Sequence, residues 1–232
     1  MLLRRLRFLG FIVIAVAVLG GGTYLLAPQW LMQLNQWRQA SAADLSTRQV
    51  QIGDTRWTYY EGGNGPTIVL AHGFGVDRST WLPVANVLTR NFHLVIPDLP
   101  GWGQSTRLAD ADYGIDAQAE RLNGFVHTLN LAPMILVGHS MGGAIAGVYA
   151  SEHPKDVAGL VLMDSAGLSF RKNAFARAVE SGKDPFAFDD RAGFRRVTRL
   201  VFKHPPSVPG RFIDVLVKRN VANRAFETRV LE

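Results

Sequence analysis

Met134-Ile135-Leu136-Val137-Gly138-His139-Ser140-Met141-Gly142-Gly143 decides how this chain is read. A short apolar run, the length of a buried strand, leads straight into a pentapeptide with glycine two residues before and two after a serine. Small residues continue at Ala144, Ala146 and Gly147, which lets a helix begun at Met141 lie close to a sheet. A serine at the apex of so tight a strand-to-helix turn takes a strained backbone conformation. Side chains two residues to either side would collide across the turn, so glycine is required at Gly138 and Gly142. The spacing predicts a turn that lifts the Ser140 hydroxyl clear of the surface, where a base and a substrate can reach it.

Working outward, the same grammar repeats. Thr67–Ala71, His93–Ile96 and Gly159–Met163 are further short apolar runs, read with Met134–Val137 as strands buried on both faces. Helical patterns over Trp81–Arg90, Asp116–Asn130 and Met141–His153 lie between and after them. Such alternation implies a mostly parallel sheet wrapped by right-handed crossovers. Upstream, Val50–Tyr60 reads as two alternating runs about a Gly53-Asp54 turn, a β-hairpin, preceded by a polar linker over residues 40–47. From Phe170 onward the buried runs stop. Arg171–Ser181, Asp190–Lys203 and Ser207–Asn223 read as helices broken by Pro205, Pro206 and Pro209, a lid over the sheet edge.

Ligands of such sheets bind beyond the carboxyl ends of the strands, and the informative residues follow each strand. His72-Gly73-Phe74-Gly75 comes after the first and Asp98-Leu99-Pro100-Gly101-Trp102-Gly103-Gln104-Ser105 after the second. Ser140 follows the third, and Asp164-Ser165 the fourth. A helix starting at Met141 aims its amide end at the site where negative charge develops during acyl transfer. The Met141 amide is therefore one expected oxyanion donor, and the Phe74 amide, flanked by glycines, the other. Gly73, His72 and His139 are read as supports of these turns. His153 falls at the far end of the helix after Ser140, and His93 and His127 precede Ser140 as structural residues.

The chain begins with Arg4, Arg5 and Arg7, followed by the uncharged apolar run Phe8–Ala27; the next charge is Arg38. Twenty helical residues span about 30 Å, the thickness of a bilayer core. The charge asymmetry puts the N-terminus in the cytoplasm and the remainder on the exported side. Trp30 and Trp37 suit an interfacial belt. A cleaved signal peptide, with secretion, is the alternative, and a buried core helix a third reading. Residues 171–232 hold 14 Lys or Arg against 7 Asp or Glu, whereas the first 170 are near balance. That surplus fits an anionic membrane surface or a merely solvated face. No nucleic-acid signature accompanies it. With no cysteine in the chain, disulfides, thiolate metal sites and a cysteine nucleophile are excluded. No metal site or phosphate-cradling loop is apparent, so no cofactor is expected.

At these residues, from Val50 to about Leu168, the chain resembles the α/β-hydrolase superfamily. Gly138-His139-Ser140-Met141-Gly142-Gly143, with Tyr149-Ala150 and His153-Pro154 following, is similar to its lipase and esterase branch. An apolar N-terminal helix before such a domain resembles the membrane-bound monoacylglycerol lipases. The resemblance implies an acyl-enzyme on Ser140 and a helical lid between the sixth and seventh strands. It also implies a triad acid after a seventh strand and a histidine after an eighth. By this reading those strands and both residues are missing, and the chain is expected to be a C-terminally truncated piece of a longer enzyme. Asp164, at a strand end, is the candidate substitute acid; His204 is a remote candidate base.

The resulting organisation is a membrane anchor and juxtamembrane segment over residues 1–39, a partial α/β-hydrolase core over 40–168 and a helical lid over 169–232. The expected activity is hydrolysis of carboxylic esters, with a lipid or small acyl ester as substrate. Phe186, Phe188, Phe194, Phe202 and Phe212 favour lipid access through the lid. The competing readings are a carbon–carbon bond hydrolase on the same fold and a non-catalytic binding protein. Oligomeric state is not legible in the sequence.

Overall fold

Six strands form one mixed sheet: β1 (Ser46–Ile52), β2 (Thr55–Gly62), β3 (Thr67–Ala71), β4 (His93–Pro97), β5 (Met134–His139) and β6 (Val157–Met163). They stand in the order β1-β2-β4-β3-β5-β6. The structure is a computed structural model, described here for residues 2–169, 175, 177–178 and 184–231. The sequence-predicted helix Arg171–Ser181 lies largely outside the described residues. β1 and β2 form the expected hairpin, with Gly53 at φ +56 in its turn. β2 runs antiparallel to β4, and β3 pairs in parallel with β4 and β5.

Successive strand residues point to opposite sides, and the central strands β3, β4 and β5 bury both faces. Val69, Val95 and Leu136 face one cluster with Trp57, Phe125, Leu122, Ile145 and Tyr149. Their neighbours Ile68, Leu70, Leu94, Ile96 and Val137 face a second, with Trp81, Leu82 and Ala85. Helices α4 (Ile115–Thr128) and α5 (Met141–Glu152) supply the first layer, and α3 (Leu82–Leu88) part of the second.

Two expectations require correction. Residues 40–47 are not a linker: α2 (Pro28–Ala42) runs into this stretch and β1 begins at Ser46. Ala40, Ala43 and Leu45 are buried in the second cluster, so three small or apolar residues anchor an otherwise polar segment. β6 is not buried on both faces. Among the described residues it pairs only with β5, and Leu160, Val161, Leu162 and Met163 are exposed along it.

The chain divides into two compact units, one comprising Gln36–Lys172 with Phe226–Glu232 and the other Met1–Asn35 with Asn173–Ala225. The first holds the sheet. Its C-terminal stretch, read from sequence with the lid, brings Phe226 into the aromatic cluster of Trp102 and Tyr113. The second unit holds α1 (Leu2–Leu26), α6 (Arg191–Val201) and most of α7 (Gly210–Leu231). Residues Arg4–Leu26 are long and apolar enough to cross a membrane by length and composition. Asp190 caps α6 by accepting from Gly193 N at 2.6 Å, and Asn220 on α7 bonds the backbone of Phe188 and Phe186.

Candidate active site

Ser140 sits between β5 and α5 at φ +53, ψ −118, a region that L-residues avoid. Its N–H donates to Met163 O at 3.0 Å, and its carbonyl accepts from Gly143 N, Ala144 N and Ala166 N. The strained apex is therefore held by β6 on one side and by the first turn of α5 on the other. The flanking glycines are sterically required. A Cβ at Gly138 would run into the Gly142 carbonyl and approach Gly143 Cα to 2.6 Å. One at Gly142 would press on the Ala71 and His72 carbonyls. Gly143 has its own reason, since a Cβ there would lie 2.7 Å from Ser165 Oγ.

Gly147 does not share that role. A Cβ there meets nothing within 4 Å, so the expectation that it is needed for close packing is corrected. The contrast gives a paired test. Gly142→Ala is expected to destabilise the domain by roughly 1–3 kcal/mol through overpacking. Gly147→Ala should stabilise it by about 0.5–1 kcal/mol through helix propensity alone. Urea unfolding midpoints of the two variants separate these outcomes.

The loop after β3 lies against the serine. A Cβ at Gly73 would stand 3.2 Å from Ser140 Cβ and 3.1 Å from His139 Nδ1. His72 is fully buried and fixes this loop to the next one: its Nε2 accepts from Leu99 N at 3.0 Å. The ring proton then belongs on Nδ1, which donates to Gly73 O at 2.8 Å. His72 is thus a staple between the loops after β3 and β4. His139 Nδ1 is buried without a hydrogen-bond partner among the described residues. Phe74 packs edge-on to Trp102, with centroids 6.1 Å apart. As the first residue of α5, Met141 has an N–H with no intrahelical acceptor. These features bring His72, Gly73, Phe74, Gly138, His139, Met141 and Gly142 around Ser140.

The β4 loop is knotted on a fully buried carboxylate. Asp98 accepts from Arg78 N at 2.8 Å and Gln104 N at 2.7 Å, and is ion-paired with the Arg78 guanidinium. Ser105 Oγ donates to Asp98 O and accepts from Thr58 N. Gly103, at φ +56, leaves the space the carboxylate fills. Sequence reading found the glycine spacing here but missed Arg78, whose partner lies twenty residues away. It also missed Glu227, which is buried and whose Oε1 would stand 3.7 Å from a Cβ on Gly75.

No histidine or carboxylate hydrogen-bonds the Ser140 hydroxyl among the described residues. Asp164 is exposed, at φ +45, and its carboxylate makes no hydrogen bond or ion pair among them. His93 faces Glu61 and Thr67, and His153 lies against Tyr149. His204 is exposed. No cluster of three or more His, Asp or Glu side chains suited to a metal occurs among the described residues.

Residues 66–196 match the alpha/beta hydrolase fold family. Along its whole length the chain is 32% identical to Lipase 1 of Psychrobacter immobilis, spanning 74% of that protein. It is 37% identical to a monoacylglycerol lipase of Homo sapiens over 68% of its own length, spanning 52% of that relative. In three dimensions, 97% of the chain is similar to 73% of a membrane phospholipase A, with a TM-score of 0.84 and 35% identity. The chain thus covers about half to three quarters of the relatives it matches. With the sheet order, the serine turn and these likenesses in agreement, the chain belongs to the α/β-hydrolase fold family, in its lipase and esterase branch.

Proposed function

We propose that this chain carries the nucleophile and oxyanion hole of a membrane-tethered serine hydrolase acting on acyl esters of lipid type. The observation that carries the reading is the strained apex at Ser140, with the Gly73-Phe74 loop against it and the start of α5 beneath it. In the reaction, Ser140 Oγ attacks the ester carbonyl and loses its proton to a general base. The Met141 and Phe74 amides stabilise the tetrahedral oxyanion, one such donor contributing about 3–4 kcal/mol. The intermediate collapses, the alcohol leaves with a proton, and water then hydrolyses the acyl-serine. The base and its acid partner are not among the described residues that hydrogen-bond Ser140. The exposed apolar edge of β6 is a place where a further strand can add. The likeness to a lipase and a monoacylglycerol lipase supports lipid substrates, and the long apolar α1 supports tethering.

A serine-directed fluorophosphonate tests the reading on protein that carries the general base together with this chain. Labelling at Ser140, mapped by peptide mass, is the expected result. An unlabelled Ser140 in folded protein would move this chain to a non-catalytic role.

A further inference from the structure

The reading above leaves α6 unexplained. From Arg191 to Ile213 the chain carries six cations and no carboxylate. On α6 they fall on one side: Arg191, Arg195 and Arg199 recur every four residues, with Arg196 beside them, and the last three are exposed. The opposite side is apolar, and its two ends differ. Near the N-terminus Gly193 is buried so tightly that a Cβ would lie 2.9 Å from Phe188 Cβ. At the C-terminal end Leu200, Val201 and Phe202 are exposed, the last two by half. This helix is anchored at its start and presents a basic, apolar end to its surroundings.

Its place within its own unit ties it to the apolar span. Tyr24, near the end of α1, packs edge-on against Phe212 of α7, with centroids 5.5 Å apart. Two residues along α7, Asp214 grips Arg191, the first residue of α6, through two hydrogen bonds of 2.7 Å. One chain of contacts therefore runs from the end of the span to the base of α6. If α1 crosses a bilayer, its end marks the interface, and α6 starts there.

We propose that α6 is an interfacial helix that docks on an anionic bilayer surface. Arg195, Arg196 and Arg199 lie among the lipid phosphates, and the Leu200–Phe202 end inserts toward the acyl chains. A basic amphipathic helix has the chemistry for this contact, because its long side chains reach head groups while their stems cover apolar surface. The charge complementarity fixes the occupant as anionic lipid, and it supplies a use for the basic surplus in the C-terminal quarter of the sequence. The proposal rests on α1 spanning the membrane, so its test reads the two separately.

The chain has no cysteine, so Val201→Cys creates a single labelling site. Whole chain carrying an environment-sensitive fluorophore there is reconstituted into lipid nanodiscs with and without phosphatidylglycerol. Co-purification with discs of either composition reports α1 alone. The fluorophore reports α6: a blue shift, and quenching by doxyl-labelled lipid, are expected only in the anionic discs. Arg195→Gln with Arg199→Gln should shift the docked-to-undocked ratio about thirty-fold toward undocked, at about 1 kcal/mol for each cation. A water-like, unquenched probe in anionic discs holding the protein would overturn the proposal, and an acidic protein partner would then be sought. Insensitivity of a docked probe to the double substitution would overturn it too, by removing the phosphate contact. Failure of the chain to enter discs at all would instead remove α1 as a span, and with it the ground for α6.

Discussion

In protein that carries the general base together with this chain, Ser140→Ala is expected to lower kcat on a short acyl ester by roughly 10⁴-fold or more, without loss of fold. The magnitude follows from the role proposed for this hydroxyl. Without it no acyl-enzyme forms, and only the oxyanion donors and substrate binding continue to help, which leaves a small residual over water. KM should change far less than kcat, since the hydroxyl matters to the bond being made rather than to ground-state binding. Activity in the alanine variant within tenfold of the parent, measured with phosphonate labelling as a parallel check, would remove Ser140 from the reaction.

A companion substitution separates catalysis from architecture. The Ser140 backbone at φ +53, ψ −118 is costly for any residue with a Cβ and ordinary for glycine. Ser140→Gly should therefore abolish activity as fully as alanine does, yet raise unfolding stability by about 1–3 kcal/mol, the usual size of such stored strain. Stability gained where activity is lost is the signature of a strained functional residue. A glycine variant less stable than the alanine variant would show that the turn is not strained.

The serine turn was legible because its constraint is local: two glycines, one serine, an apolar run before and small residues after. Short buried runs such as Thr67–Ala71 and Met134–Val137 were legible for the same reason. Long-range geometry was not. The polar stretch at residues 40–47 concealed Ala40, Ala43 and Leu45, whose burial is decided by partners on β3 and β4. β6 has the composition of a central strand, and only the sheet order shows it as an exposed edge. Gly147 reads like Gly143 in sequence, but only Gly143 faces Ser165. Glu227 lies beyond the predicted helix Ser207–Asn223, in the stretch assigned to the lid, and its burial beside Gly75 depends on Phe226–Glu232 belonging to the sheet unit.

The Asp98–Arg78 pair was the largest omission, and it carries the largest expected stability effect. Asp98→Ala should destabilise the domain by about 3–5 kcal/mol. The substitution strands a guanidinium that is itself buried and leaves the N–H groups of Arg78 and Gln104 without their acceptor. Each stranded group adds its desolvation cost rather than the modest net value of the bond it lost. Arg78→Ala together with Asp98→Ala should cost less than the sum of the singles, because neither charge is then left alone. Chemical denaturation with unchanged m-values would give all three numbers. A functional consequence follows from where the pair sits. Arg78 stands four residues beyond Phe74, and Leu99, next to Asp98, donates to the staple His72. Loosening the pair frees both loops that hold the Phe74 amide, so phosphonate labelling of Ser140 should slow even at temperatures where Asp98→Ala is fully folded. If that variant loses stability yet labels at the parental rate, the pair supports the sheet alone, and the oxyanion loop is held by His72 without it.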